Sequence, residues 1–118
     1  MRIAVVDDNE VDRTLLENLI QKSARTLDID LSLNLFYNGQ TFLDSTESKK
    51  YDIVFMDHMM PYMDGIETLK NIKAATDGPN IDTPVIVLTA NAVSGAKEMY
   101  LEEGFVDYMS KPIQGKRL

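Results

Sequence analysis

Three short runs of apolar residues divide the chain and set its predicted architecture. They are rich in β-branched residues, do not alternate with polar ones, and cover residues 3–6, 53–56 and 85–88. Strands that are apolar at every position are buried on both faces, which is typical of a parallel sheet covered by helices. A fourth run, residues 31–36, alternates leucine with polar residues and predicts a half-exposed edge strand. A weaker fifth strand is expected at residues 107–110.

Helical patterns fill the intervals between these strands. Apolar residues recur at helix spacing over residues 10–27, 39–46, 65–75 and 94–103. In the first of these segments they run from Val11 and Leu15 to Leu27. The last segment starts with Ser94 as a predicted N-cap and stops before Gly104. Alternating strands and helices predict an α/β fold with a doubly wound, five-stranded parallel sheet.

Length and composition narrow the class of protein. With 118 residues, the chain is expected to form one domain over residues 1–118. The absence of cysteine excludes thiol catalysis and cysteine metal sites. A net charge of −7 argues against a nucleic-acid groove or an anionic membrane surface. No apolar stretch approaches the roughly 20 residues of a membrane span, so we expect a soluble cytoplasmic domain.

Charged or hydroxyl side chains follow four of the predicted strands. Asp7 and Asp8 follow the first, Asp57 the third, Thr89 the fourth and Lys111 the fifth. Parallel strands bring their carboxyl ends to one edge, where ligands bind in such sheets. Each residue alone has a plainer role, as a helix cap, a turn residue, a structural threonine or a solvated lysine. Their coincidence at four ordered strand ends is what predicts a site.

The charges of this cluster indicate a metal. Three carboxylates repel one another strongly in a partly desolvated pocket, and one divalent cation together with one lysine would neutralise them. Carboxylate oxygens without histidine or cysteine select Mg²⁺, Ca²⁺ or Mn²⁺. An acidic cup that leaves coordination positions to water and phosphate oxygens suits Mg²⁺ best.

Four segments are similar to the receiver domain of two-component response regulators. They are VVDDN (5–9), MDHMMPYMDG (56–65), VLTAN (87–91) and YMSKP (108–112), and they span nearly the whole chain in order. The sequence of residues 88–113 most resembles receivers carried by hybrid sensor histidine kinases. The resemblance implies the flavodoxin-like sheet order 2-1-3-4-5, with the alternating strand at an edge.

The resemblance also implies a role for each residue of the cluster. Asp57 would be the phosphoacceptor, taking a phosphoryl group from a histidine of a histidine kinase or a histidine phosphotransfer domain. The Mg²⁺ would be held by Asp8 and Asp57, by Asp7 through water, and by the backbone carbonyl of Met59. Output would come from a domain or partner that is not on this chain.

The resemblance further implies a conformational change on phosphorylation and particular backbone features in the loops. Thr89 and Lys111 would contact the phosphoryl oxygens, and Tyr108 would change rotamer as the Thr89 hydroxyl moves toward the phosphate. The Lys111–Pro112 peptide bond is expected to be cis. Gly65 is expected to adopt a backbone conformation that other residues avoid. The final helix after Lys111 is expected to be truncated, since only seven residues follow.

The leading interpretation is a signalling switch that is not a turnover enzyme. Two other functions stay open. One is a phosphorylation-independent scaffold of receiver shape, although no acidic or lysine position of the motif is lost. The other is a Mg²⁺-dependent phosphohydrolase with an aspartyl nucleophile, but Met59 stands where such enzymes place a second aspartate. His58 is expected to point away from the neighbouring Asp57 and to hold neither phosphate nor metal.

Overall fold

A computed structural model of the protein describes residues 1–75, 78–90 and 95–112, which alternate strands and helices along the chain. The strands are β1 (Arg2–Val6), β2 (Ser32–Phe36), β3 (Ile53–Asp57), β4 (Val85–Thr89) and β5 (Asp107–Ser110). The helices are α1 (Glu10–Thr26), α2 (Gly39–Ser45), α3 (Gly65–Ala74) and α4 (Ala96–Glu103). The predicted elements are therefore confirmed, with small shifts at their ends. The predicted cap Ser94 and the expected truncated helix lie outside the described residues.

All five strands pair in parallel, in the order β2-β1-β3-β4-β5. This confirms the order 2-1-3-4-5 and the position of β2 at one edge of the sheet. The alternation along β2 predicts that its leucines lie on a buried face. This is confirmed only in part, because Leu33 is half-buried whereas Leu35 is exposed.

The core lies on both faces of the sheet, which explains why the central strands are apolar at every position. Alternate β1 residues point to opposite faces. Ile3 and Val5 pack with the buried residues of α1. Ala4 and Val6 pack on the other face, in a cluster that includes buried residues of α2, α3 and α4. A polar residue at any of these positions would be buried without water.

Helix α1 covers its face of the sheet with a narrow stripe of side chains. Leu16 and Ile20, one turn apart, are buried against the strands. The other apolar residues expected on this face do not all reach it, since Val11, Leu15 and Leu27 are exposed. A single helix lying on a sheet buries only one face, and these three residues flank it.

None of the helices in the described part of the chain is long and apolar enough to span a membrane.

Two predicted backbone features have different outcomes. The Lys111–Pro112 peptide bond is cis, as expected. Gly65 is not in the left-handed region, so the expected unusual conformation is wrong. Its small size matters for another reason: a Cβ atom at this position would collide with the backbone oxygen of Asp57. The amide of Gly65 donates to the carbonyl of His58 at 2.9 Å, which folds the loop back onto the end of β3.

Candidate functional site

The carboxyl ends of four strands bring the predicted residues to one edge of the sheet. Asp57 and Thr89 are the last residues of β3 and β4, and Asp7 and Lys111 directly follow β1 and β5. The amide of Lys111 donates to the carbonyl of Thr89 at 2.8 Å, which continues the ladder one residue past β5. The strands therefore fix the backbone position from which each of these side chains extends.

Lys111 is the centre of the charged contacts at this edge. Its Nζ atom lies 3.0 Å from Asp7 Oδ2 and 3.1 Å from Asp57 Oδ1. A third carboxylate, Asp12 Oδ2, lies 3.1 Å from the same nitrogen. The sequence reasoning missed Asp12, which sits in the first turn of α1. Because Cα–Cβ bonds tilt toward the N-terminus of a helix, an acidic residue in a helix that begins at the site is directed back to it, and this signal could have found Asp12.

Asp7 is buried and held on several sides. Its Oδ1 atom accepts a hydrogen bond from the amide of Asn9 at 2.9 Å, while its other oxygen contacts Lys111. Arg13 Nη1 donates to the backbone carbonyl of Asp7 at 2.8 Å. Asn9 itself is the N-cap of α1, with its side chain accepting from the amide of Asp12 at 3.0 Å. Because Asn9 caps the helix, neither Asp7 nor Asp8 is needed for that role.

Asp7, Asp8 and Asp57 form a cluster with the geometry of a metal site. Each can offer a carboxylate oxygen, and these oxygens lie within 4.8 Å of one another. Asp7 and Asp57 are buried, whereas Asp8 is exposed to solvent. Three hard oxygen donors that repel one another fit a divalent cation such as Mg²⁺ or Ca²⁺. The donor set of this structure therefore fits the metal that the sequence predicts.

An open cavity of about 340 Å³ gives access to this cluster. Its lining includes Asp12 and five of the residues predicted from the sequence, which are Asp8, Asp57, Met59, Thr89 and Lys111. The Met59 side chain is 74% exposed at the rim. The cavity is large enough for a phosphoryl group and its bound water, and Asp57 lies at its floor.

The surroundings of Asp57 oppose its ionisation. Burial, the charge of Asp7 and a hydrogen bond with the Asp8 side chain raise the pKa of Asp57 from 3.8 to about 7, although Lys111 acts in the opposite direction. For Lys111, burial works against the charged form, but hydrogen bonds to Asp7 and Asp12 and the nearby carboxylate charges raise its pKa above the ordinary value of 10.5. The lysine therefore stays charged, and the carboxylate needs additional positive charge to ionise fully.

Thr89 and His58 are joined through a residue that the sequence did not indicate. The hydroxyl of Tyr100, in α4, donates to Thr89 Oγ1 at 2.9 Å and lies 2.8 Å from His58 Nδ1. His58 is therefore turned toward α4. Tyr108 is half-buried against the core of the same face, with Lys97 Nζ 6.0 Å from its ring centroid.

Comparisons with known proteins bear on the nature of this site. A family model described as the response regulator receiver domain matches residues 3–118. The chain is 31% identical over 119 residues to the sensor histidine kinase GacS of Pseudomonas protegens, covering 99% of this chain and 12% of the kinase. It is 33% identical over 118 residues to the signal transduction histidine-protein kinase BarA of Escherichia coli, covering 100% of this chain and 12% of the kinase.

A solved structure adds the comparison in three dimensions. The receiver domain of a sensor histidine kinase from Pseudomonas aeruginosa is 33% identical and has a TM-score of 0.77, with 98% of this chain and 88% of that one covered. The chain spans only about an eighth of the two kinases, since it aligns with 12% of each. The strand order, the acidic cluster beside a lysine and the match over residues 3–118 agree, and the chain belongs to the family of response regulator receiver domains.

Proposed function

We propose that the chain accepts a phosphoryl group on Asp57 from a phosphohistidine of a histidine kinase or a histidine phosphotransfer domain, as one receiver unit over residues 1–118. The observation that carries the proposal is the position of Asp57. Its carboxylate ends a central strand at the floor of an open cavity, 3.1 Å from an ammonium group and within a cluster of further carboxylates. A plain turn residue needs none of these neighbours.

The transfer step is a substitution at phosphorus. An Asp57 oxygen forms the new O–P bond, the P–N bond to the donor histidine breaks, and its electron pair returns to the imidazole nitrogen. Such transfers depend mainly on positioning and on stabilising the charge of the phosphoryl oxygens. Lys111, already beside Asp57, supplies one positive charge, and the Thr89 hydroxyl at the end of the neighbouring strand supplies a hydrogen-bond donor. Hydrolysis in the same pocket returns the domain to its resting form.

A divalent cation, Mg²⁺ by preference, completes this pocket. Asp8 and Asp57 would hold it directly, Asp7 would act through water, and Met59 would contribute its backbone carbonyl. Support comes from the three clustered carboxylates and from the Pseudomonas aeruginosa receiver, which has a magnesium ion coordinated in its active-site cleft. When bound, the ion would supply positive charge to the pocket in addition to that of Lys111. It also favours the ionised form of Asp57, whose pKa is otherwise raised to about 7.

Phosphorylation acts as a switch and not as one step of a turnover enzyme. The Thr89 hydroxyl moves toward the new phosphoryl oxygens, and Tyr108 changes rotamer on the β4–β5 side of the sheet. The phosphate biases the two states only by its differential contacts with them. A half-buried aromatic ring that touches both core and solvent, as Tyr108 does, is suited to such a change.

The partner docks over the mouth of the cavity. Two elements that contribute to the lining of this cavity carry exposed apolar side chains: Val11 and Leu15 on α1, and Met59 and Tyr62 on the loop after β3. Exposed apolar side chains at a reactive site are typical of a protein interface. A kinase that uses ATP as its phosphoryl source works in the cytoplasm, where we place this domain. The output belongs to a partner or to another part of a longer protein.

The test is phosphorylation by a small donor. The purified protein is incubated with acetyl phosphate and Mg²⁺ and its intact mass is measured. We expect one added phosphate, located on Asp57 by peptide mapping and absent from Asp57→Asn. A folded parent protein without the adduct would contradict the proposal and favour a phosphorylation-independent scaffold.

A further inference from the structure

A series of polar contacts links Thr89 to α4 and to the loop after β3. Thr89 Oγ1 accepts a hydrogen bond from the Tyr100 hydroxyl at 2.9 Å, and this hydroxyl lies 2.8 Å from His58 Nδ1. The other ring nitrogen of His58, Nε2, is 3.9 Å from Asp64 Oδ2. The contacts therefore join the end of β4, the middle of α4 and the start of α3.

The direction of these hydrogen bonds follows from the number of protons. A tyrosine hydroxyl has a single proton, and that proton is donated to Thr89. The bond between Tyr100 and His58 therefore uses the proton on His58 Nδ1, with the tyrosine oxygen as acceptor. Because the Tyr100 side chain is 1% exposed, water cannot replace either partner without opening the core.

Tyr100 is also fixed by its packing. Its ring meets the His58 ring edge to face, with centroids 5.3 Å apart and planes at 89°, and it meets Phe105 at 5.9 Å and 85°. Asp64, whose Oδ2 is too far from His58 Nε2 for a hydrogen bond, is the N-cap of α3, where Oδ1 accepts from the amide of Glu67 at 2.8 Å. The donor that Thr89 meets is thus held in place by two other elements.

We propose that Tyr100, supported by His58, is a positioning residue that holds the Thr89 hydroxyl in the resting domain and carries its movement to α4. The inference rests on the proposed function, in which Thr89 moves toward a phosphoryl group on Asp57. That movement gives up the hydrogen bond from Tyr100. The bond therefore stabilises the resting state, and its loss loosens the contact between β4 and α4 when the site is loaded.

The effect is measured with beryllofluoride, a tetrahedral mimic of a phosphoryl group, bound in the presence of Mg²⁺. Because a neutral hydrogen bond contributes about 0.5–1.5 kcal/mol net, Tyr100→Phe should bind the probe roughly two- to tenfold more tightly than the parent. The variant keeps the ring and its packing and removes only the hydroxyl.

A double-mutant cycle separates positioning from packing. In a Thr89→Val background the acceptor is gone, so adding Tyr100→Phe should leave the affinity unchanged. A role in packing alone would give the same change in both backgrounds. Tyr51→Phe is the matched control, since Tyr51 is equally buried and its hydroxyl contacts Ser45 at 2.9 Å, away from the site. It should alter the unfolding midpoint without altering the affinity for the probe.

The outcomes distinguish this inference from the proposed function. A parent protein that does not bind beryllofluoride with Mg²⁺ would overturn both. A parent that binds, with Tyr100→Phe equal to it or weaker, would overturn the positioning role alone, as would equal effects with and without the Thr89 hydroxyl. Tighter binding that disappears in the Thr89→Val background is the result that supports the inference.

Discussion

Replacing Asp57 by asparagine should stabilise the metal-free domain, and the gain should depend on pH. The pKa of Asp57 is about 7 in the folded protein, compared with an ordinary value of 3.8, chiefly because the carboxylate is buried and lies beside Asp7. Asparagine has nearly the same shape, carries no charge, and can still accept a hydrogen bond from Lys111. The variant therefore removes the unfavourable ionisation and little else.

The size of the effect follows from proton linkage. Between pH 4 and pH 7 the folded parent binds a proton at Asp57 more tightly than the unfolded chain does. Its free energy of unfolding therefore falls by about 1.4 kcal/mol for each unit by which the pH rises. The variant lacks this slope. Its advantage should therefore grow by roughly 2–3 kcal/mol between pH 5 and pH 7 and level off by about pH 8, where Asp57 is ionised in the folded parent as well.

The assay is urea unfolding in EDTA at pH 5, 7 and 8, for the parent, Asp57→Asn and Asp82→Asn. Asp82 lies exposed in a loop, and its substitution controls for the change in net charge. Adding Mg²⁺ should remove the advantage of the Asp57 variant, because binding free energy then adds mainly to the parent. An advantage that is the same at all three pH values would refute the reasoning, since it would mean that the folded protein does not raise this pKa.

Two further substitutions test the metal and the loop. Asp8→Asn should reduce the Mg²⁺-induced rise in thermal midpoint while raising the stability of the metal-free domain, because one charge leaves a self-repelling cluster; an unchanged rise would show that Asp8 does not hold the ion. Gly65→Ala should lower the free energy of unfolding in EDTA by about 1–3 kcal/mol, because its Cβ would collide with the backbone oxygen of Asp57; a neutral result would mean that the start of α3 can move away without loss.

The strands and the main site residues could be predicted because both depend on local signals. A strand buried on both faces must be apolar throughout, so the change to a charged residue at Asp57 or Asp7 is visible in the sequence. The same reasoning placed Thr89 and Lys111. It failed for the backbone of Gly65, because a glycine can be required by a neighbour that is close in space as well as by its own dihedral angles.

Two contacts of the site could not be inferred in the same way. Asp12, in the first turn of a helix, also has an ordinary role there as a favourable charge near the N-terminus, so its position directs it toward the site but does not by itself indicate a contact with Lys111. His58 and Tyr100 are 42 residues apart, and each is an unremarkable residue for its position. Only the packing of α4 against the end of β3 brings them together, and no periodicity in one sequence reports that packing.

The two clusters of core residues lie on opposite faces of the sheet, and this separation has a consequence for how partners bind the domain. The exposed Val11 and Leu15 belong to α1 on one face, whereas Tyr100 lies with α4 on the other. On the proposed roles, a phosphoryl donor approaches along the first face and the change of state emerges on the second. The phosphoryl donor and the partner that recognises the phosphorylated state then bind different surfaces of the domain and do not compete. On these roles, an output partner can bind the domain before the phosphoryl donor has dissociated.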